Sequence, residues 1–117
     1  MLKGSNILIT GGAGFLGSHL ADALLNIGAN ISIVDVPGAD TSNIDHIKNE
    51  IKFVQCDIAS QSDVNKLPED VDYIFHMAAI ANQIVCENNP ELGFRVNVQG
   101  TFNILNYALK KDVKKFI

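Results

Sequence analysis

The chain has 117 residues, 47% of them hydrophobic and 19% charged, with a formal net charge of −4. That composition suits one globular domain with its own core and excludes a disordered or fibrous chain. Lysine gathers only in the tail "KKDVKK", so no basic face marks nucleic acid as a partner, and no apolar stretch is long enough for a membrane span or a signal peptide.

The two cysteines, Cys56 and Cys86, form no Cys-x-x-Cys motif. They read as small buried apolar residues of a reduced, cytoplasmic protein rather than as a disulfide. His19, His46 and His76 lie far apart in sequence, with no His-x-x-x-His pair, and no metal site is expected.

In chain order, "NILIT" (6–10) is a short apolar run that predicts a buried strand. Four glycines follow within seven residues, in "GGAGFLG" (11–17). Phe15, Leu16, His19, Leu20, Ala23, Leu24 and Ile27 then recur at helical spacing, and Gly28 is placed to end that helix. "NISIVD" (30–35) predicts a second strand ending in a carboxylate, and "PGADTSNIDH" (37–46) has the composition of a loop. "IKFVQCD" (51–57) predicts a third strand, again with an acid at its carboxyl end. A short helix over 60–66 follows, with Ser60 as N-cap and Pro68 beyond its end.

"VDYIFHMAA" (71–79) predicts a fourth strand running into small residues. Pro90 suits the first position of a long helix reaching Lys110, and "KKFI" (114–117) begins a fifth strand at which the sequence stops. Continuously apolar strands alternating with helices predict a doubly wound parallel α/β sheet, a Rossmann fold, truncated at the start of its fifth strand.

The glycines have a use in that setting. Gly12, Gly14 and Gly17 match G-x-G-x-x-G between a strand and a helix, and Asp35 ends the next strand. This is the fingerprint of a dinucleotide site: a tight turn, a backbone that the pyrophosphate can approach, and close helix packing at Gly17. A carboxylate at Asp35 accepts from both ribose hydroxyls and repels a 2′-phosphate. Val36 and Pro37 beside it supply no arginine for such a phosphate, so NAD is favoured over NADP. Asp57 is placed either to reach the adenine amino group or to cap the helix that follows.

With these motifs in order, the chain resembles the extended short-chain dehydrogenases/reductases, the NAD-dependent epimerases and dehydratases. The resemblance rests on "TGGAGFLGSHL" (10–20), Asp35, "CDI" (56–58), "FHMAA" (75–79) and "NVQGTFNIL" (97–105). It implies that Gly11, Gly14, Phe15 and Leu16 line the pyrophosphate, with Asp35 and Val36 at the adenosine ribose. It further implies that Asp57 and Ile58 flank adenine, and that Met77, Ala78 and Ala79 run along the cofactor towards the nicotinamide. Asn97 would support the active-site end of the neighbouring strand. His76 is read as a packed strand histidine.

The family's chemistry uses a Ser or Thr after strand five and a Tyr-x-x-x-Lys on the next helix, both expected beyond Ile117. Tyr107 and Lys111 have that spacing but precede strand five, so Tyr107 is read as packing and the 117 residues alone as inactive. The resemblance implies a nucleotide-sugar-like small-molecule substrate and a homodimer through the helix near 90–110. On that helix Phe94, Val98, Phe102, Leu105 and Leu109 follow a three-to-four spacing. A different class of function, a dinucleotide-binding sensor or scaffold without turnover, fits the same residues.

Overall fold

The apolar runs of the sequence form strands β1 (Asn6–Thr10), β2 (Asn30–Asp35), β3 (Lys52–Gln55), β4 (Tyr73–His76) and β5 (Lys115–Phe116). The computed structural model describes residues 1–117. The strands make one sheet in the order β3-β2-β1-β4-β5, and each adjacent pair is parallel. Side chains alternate across a strand, so each face acquires its own core. Leu8, Val34 and Ile74 pack on one face with Cys56, Val64 and Ile104. Ile7, Ile9, Ile31 and Ile33 pack on the other with Ala21, Leu24, Ile44 and Ile47. The doubly wound parallel fold expected from sequence is the one observed.

Helix α1 (Phe15–Asn26) fills the first crossover and ends before Gly28, whose φ of +84° suits a helix stop. Its buried face differs from the expected one. The sheet covers Gly17, Ser18, Ala21 and Leu24, while Phe15, Leu16 and Ile27 are exposed. The cause is close packing at Gly17, where a Cβ would stand 2.5 Å from the Gly11 carbonyl oxygen and 2.7 Å from Gly12 Cα. That approach turns the small residues of α1, rather than its large ones, towards the sheet.

The segment 37–46 is not wholly a loop. Ser42–Ile47 form 3-10 turns that bury Ile44 and Ile47, an i, i+3 pair that meets on one side of so tight a helix. β3 and β4 are shorter than their apolar runs: the Cys56 and Met77 N–H groups still donate to the Asp35 and Thr10 carbonyls of the neighbouring strands, and from there the chain turns away to line a cavity. Helix α2 (Gln61–Val64) has the expected cap, with the Asp63 N–H donating to Ser60 Oγ at 3.3 Å.

Helix α3 (Gln83–Asn88) buries none of its residues, and so left no apolar periodicity to find. The long helix is continuous from Pro90 to Lys110. It comprises α4 (Pro90–Phe94), a π-helical stretch over Arg95–Gly100, and α5 (Thr101–Lys110), with Pro90 in the first turn. Its inner side buries Asn103, Ile104, Tyr107 and Ala108, and its outer side exposes Phe94, Val98, Phe102, Leu105 and Leu109. No helix is long and apolar enough to cross a membrane.

Candidate dinucleotide site

The strand order reverses direction between β1 and β4, and in open parallel sheets ligands lodge outside the carboxyl ends of the strands at such a point. A cavity of about 470 Å³ lies there. Gly11 and Gly14 line it from the turn after β1, and Asp35 and Val36 from the end of β2. Cys56, Asp57 and Ile58 follow from the end of β3, and Met77, Ala78, Ala79 and Ile80 from the end of β4. Leu92, Arg95 and Val96 close it from the long helix.

The glycine turn is built by close approach. Gly11 has φ +66°, and a Cβ there would stand 2.8 Å from the backbone of Ala78. Only glycine allows the first loop to lie against the segment leaving β4. No side chain caps α1 at Gly14, and its first turn contains no acid. The N–H groups of that turn, with the positive end of the helix dipole, are therefore available to an anion. Asp35 is anchored beside them: Oδ2 accepts from the Ala13 N–H at 3.1 Å and Oδ1 from the Val36 N–H at 2.9 Å.

Asp57 does not cap α2, since Ser60 does. Its Oδ1 accepts from the Ala59 N–H at 2.9 Å, and its Oδ2 accepts from Arg95 at 3.0 Å. Arg95 is the one cation lining the cavity, against two carboxylates. Ile58 is fixed from behind: Asn103, fully buried, donates to the Ile58 carbonyl at 2.8 Å, and Gly100 leaves room where a Cβ would stand 2.6 Å from Ile58 Cγ1.

On the opposite wall, Asn97 holds Ile80 by two bonds. The Ile80 N–H donates to Asn97 Oδ1 at 2.8 Å, and Asn97 Nδ2 donates to the Ile80 carbonyl at 3.0 Å. His76, at the end of β4, sits between Thr10 (Nδ1 to Oγ1, 2.7 Å) and Thr101 (Nε2 to Oγ1, 2.8 Å), and burial holds its pKa below the usual histidine value. Cys56 is a buried wall residue whose thiol is pushed up to about 12, first by burial and then by Asp63 and Asp57.

Nine of the residues singled out from sequence therefore meet in one cavity: Gly11, Gly14, Asp35, Val36, Asp57, Ile58, Met77, Ala78 and Ala79. Phe15 and Leu16 stand exposed on the first turn of α1, outside the lining, and Asn97 acts on Ile80 from behind it. Leu92, Arg95 and Val96 were missed, although their i, i+3, i+4 spacing puts them on one side of a helix. Tyr107 points away from the cavity. Its hydroxyl donates to the Pro68 carbonyl, and burial, with Glu69 adding, pushes its pKa up to about 12. Lys111 pairs with Glu69.

The family model for the NAD dependent epimerase/dehydratase family matches residues 7–117. A putative UDP-glucose 4-epimerase of Methanocaldococcus jannaschii is 37% identical over 112 residues, which are 95% of this chain and 36% of that protein. Among solved structures, an epimerase of Methanothermobacter thermautotrophicus superposes with a TM-score of 0.89 at 35% identity, covering 98% of this chain and 34% of that one. A Bordetella bronchiseptica enzyme in complex with NAD+ and UDP superposes at 0.86 with 28% identity, covering 98% of this chain and 35% of that one. The chain thus spans between about a quarter and a third of the length of the curated relatives it matches. The family match over nearly all of its residues, on a fold shared with these epimerase structures, places the chain in the NAD-dependent epimerase/dehydratase family of extended short-chain dehydrogenases/reductases, as its amino-terminal part.

Proposed function

We propose that this chain is the NAD-binding part of an NAD-dependent epimerase or dehydratase acting on a nucleotide sugar. The cavity at the carboxyl edge of the sheet carries the proposal, because its chemistry changes along its length as the dinucleotide's does. The uncapped first turn of α1, bare of acids, suits an anionic pyrophosphate, and a side chain at Gly14 would intrude on it. Asp35, with both oxygens already aligned by backbone donors, suits a ribose diol and disfavours a 2′-phosphate. Asp57 and Ile58 offer an acceptor and an apolar face for adenine. Met77, Ala78 and Ala79 leave a smooth, small-residue path for the rest of the cofactor.

When bound, NAD supplies a hydride acceptor that can return the hydride. These residues bind and orient it, and the apolar wall of Ile58, Ile80, Leu92 and Val96 keeps water from it. None of them is placed to move the proton of a sugar hydroxyl. Tyr107 is committed to Pro68, and His76 to two threonines. On this reading the cavity residues bind and orient the cofactor, and the proton of the sugar hydroxyl is moved by groups outside this cavity.

The sugar nucleotide is supported by the names of the relatives, an epimerase of UDP-glucose and an enzyme holding UDP. The free thiols Cys56 and Cys86 suit a reducing, cytoplasmic setting. The exposed stripe of Phe94, Val98, Phe102, Leu105 and Leu109 suits a homodimer in which two such helices pair. The direct test is calorimetric titration with NAD and NADP, followed by absorbance of the reduced cofactor when full-length protein is given UDP-sugars. NAD binding above NADP supports the assignment; no binding of either overturns it.

A further inference from the structure

His76 lies in a line of hydrogen bonds whose direction can be worked out. The Thr101 hydroxyl donates to the Asn97 carbonyl at 2.7 Å, which uses its only hydrogen. Towards His76 Nε2, 2.8 Å away, Thr101 Oγ1 must then accept, so Nε2 carries the proton. Nδ1 is left as an acceptor and takes the Thr10 hydroxyl at 2.7 Å. Thr10 Oγ1 in turn accepts from the Ala78 N–H at 3.2 Å. Every donor and acceptor in the line is used once. Reversing the ring tautomer would leave the hydroxyl hydrogen of Thr10, a fully buried residue, without an acceptor.

The two ends of this line are two walls of the cavity. Ala78 belongs to the floor that leaves β4, and Asn97 to the π-helical turn that also carries Arg95 and Val96. A π-helical turn widens a helix by one residue and is uncommon, which gives a specific tie across it a structural purpose. The second tie between these walls, from Asn97 to Ile80, is exposed; the one through His76 is part-buried from Ala78 to Thr101 and exposed only at its Asn97 end.

We propose that His76 is a positioning residue for the dinucleotide, which, as the Nε2–H tautomer, fixes the distance between the cavity floor at Ala78 and the helical wall at Arg95 and Val96. It touches no cofactor atom in this role and acts through Thr10 and Thr101. The proposal rests on the dinucleotide assignment above. Burial, which disfavours the charged ring, agrees with it, since a second ring proton would set two donors against each other at Thr10.

Nitrogen NMR of the imidazole in the full-length protein, together with NAD titrations of Thr101→Val and Thr101→Ser, tests the proposal. The expected result has three parts. The free protein shows His76 protonated at Nε2 alone; Thr101→Val, which keeps shape but removes the acceptor, weakens NAD about tenfold; and Thr101→Ser, which restores the hydroxyl, recovers most of that loss. A ring protonated at Nδ1, or a Thr101→Val variant with wild-type NAD affinity, overturns the positioning role and leaves the dinucleotide assignment standing. A wild-type protein that binds no NAD overturns both, and the tautomer, read without ligand, still reports the hydrogen-bond line. Unfolding of Thr101→Val, seen as lost chemical-shift dispersion while Thr101→Ser stays folded, assigns the hydroxyl to stability and also counts against the proposal.

Discussion

Asp35 and Ala13 join the end of β2 to the glycine turn after β1: the Ala13 N–H donates to Asp35 Oδ2 at 3.1 Å. The carboxylate proposed to read the ribose therefore also steadies the loop proposed to hold the phosphates. Replacing it has separable consequences. Asp35→Ala removes both functions and should weaken NAD by roughly 10- to 100-fold, the worth of one or two charge-assisted hydrogen bonds. Asp35→Asn keeps an acceptor for Ala13 but loses the charge, so NAD should weaken less while NADP improves relative to it. Calorimetry with both nucleotides measures the ratio; an unchanged ratio in Asp35→Asn would show that the charge does not set the preference.

The hydroxyl of Tyr107 has a structural partner in the Pro68 carbonyl. Tyr107→Phe should lower stability by about 1 kcal/mol, the typical worth of one such bond, and leave NAD affinity as it was. Urea denaturation and titration of the same variant check the two halves. A loss of turnover in full-length protein with stability intact would instead give Tyr107 a chemical role.

Alkaline pH should destabilise the fold through two buried acids. The Cys56 thiol ordinarily ionises at 9.0 and the Tyr107 phenol at 10.0, and burial pushes both up to about 12. Below pH 9 both are neutral in either state, and their burial carries no penalty. Above it the unfolded chain loses protons that the folded chain keeps, so stability falls as pH rises. Each group contributes at most about 1.4 kcal/mol per pH unit. Unfolding midpoints measured from about pH 8 to 11 should decline, and less steeply in Cys56→Ala. A flat profile would mean that neither group is buried in solution.

Much of this was legible in the residues themselves. "NILIT" and "NISIVD" are strands with the bounds expected, because a buried parallel strand is apolar throughout and ends where turn-formers begin. That the glycine turn and Asp35 meet at one cavity was legible because a tight strand-to-helix turn constrains residue type and spacing together. What escaped was set by tertiary packing. The buried face of α1 follows from Gly17 meeting the Gly11–Gly12 backbone, a contact invisible to helical periodicity. Arg95 looks like any exposed helix charge until the π-helical stretch and Asp57 are brought to 3.0 Å. Asn103 is polar in the middle of an amphipathic helix, and its bonds, donated to the Ile58 carbonyl and accepted from Gln99 Nε2 at 3.0 Å, explain its burial.

The outer stripe of the long helix should govern association. Leu109 is 81% exposed and Phe94 61%, an arrangement that a helix pair would relieve. Phe102→Glu, in the middle of the stripe and away from the sheet, should leave the fold intact and convert a dimer of the full-length protein into a monomer. Sedimentation at micromolar concentration decides; a wild-type protein already monomeric would count against the pairing.

The central claim, that the cavity at the carboxyl edge of the sheet holds NAD by its pyrophosphate against the glycine turn, is tested most directly at Gly14. Its backbone is ordinary, with φ −73°, and a Cβ there would meet the Gly11 carbonyl oxygen alone, at a tight 3.3 Å that a shift of a few tenths of an ångström in the turn would relieve. Titration of wild-type and Gly14→Val protein with NAD, each checked by circular dichroism, isolates the site from the scaffold. The predicted result is saturable binding by the wild type and none by Gly14→Val, with matching spectra. Wild-type affinity in a folded Gly14→Val protein would contradict the claim.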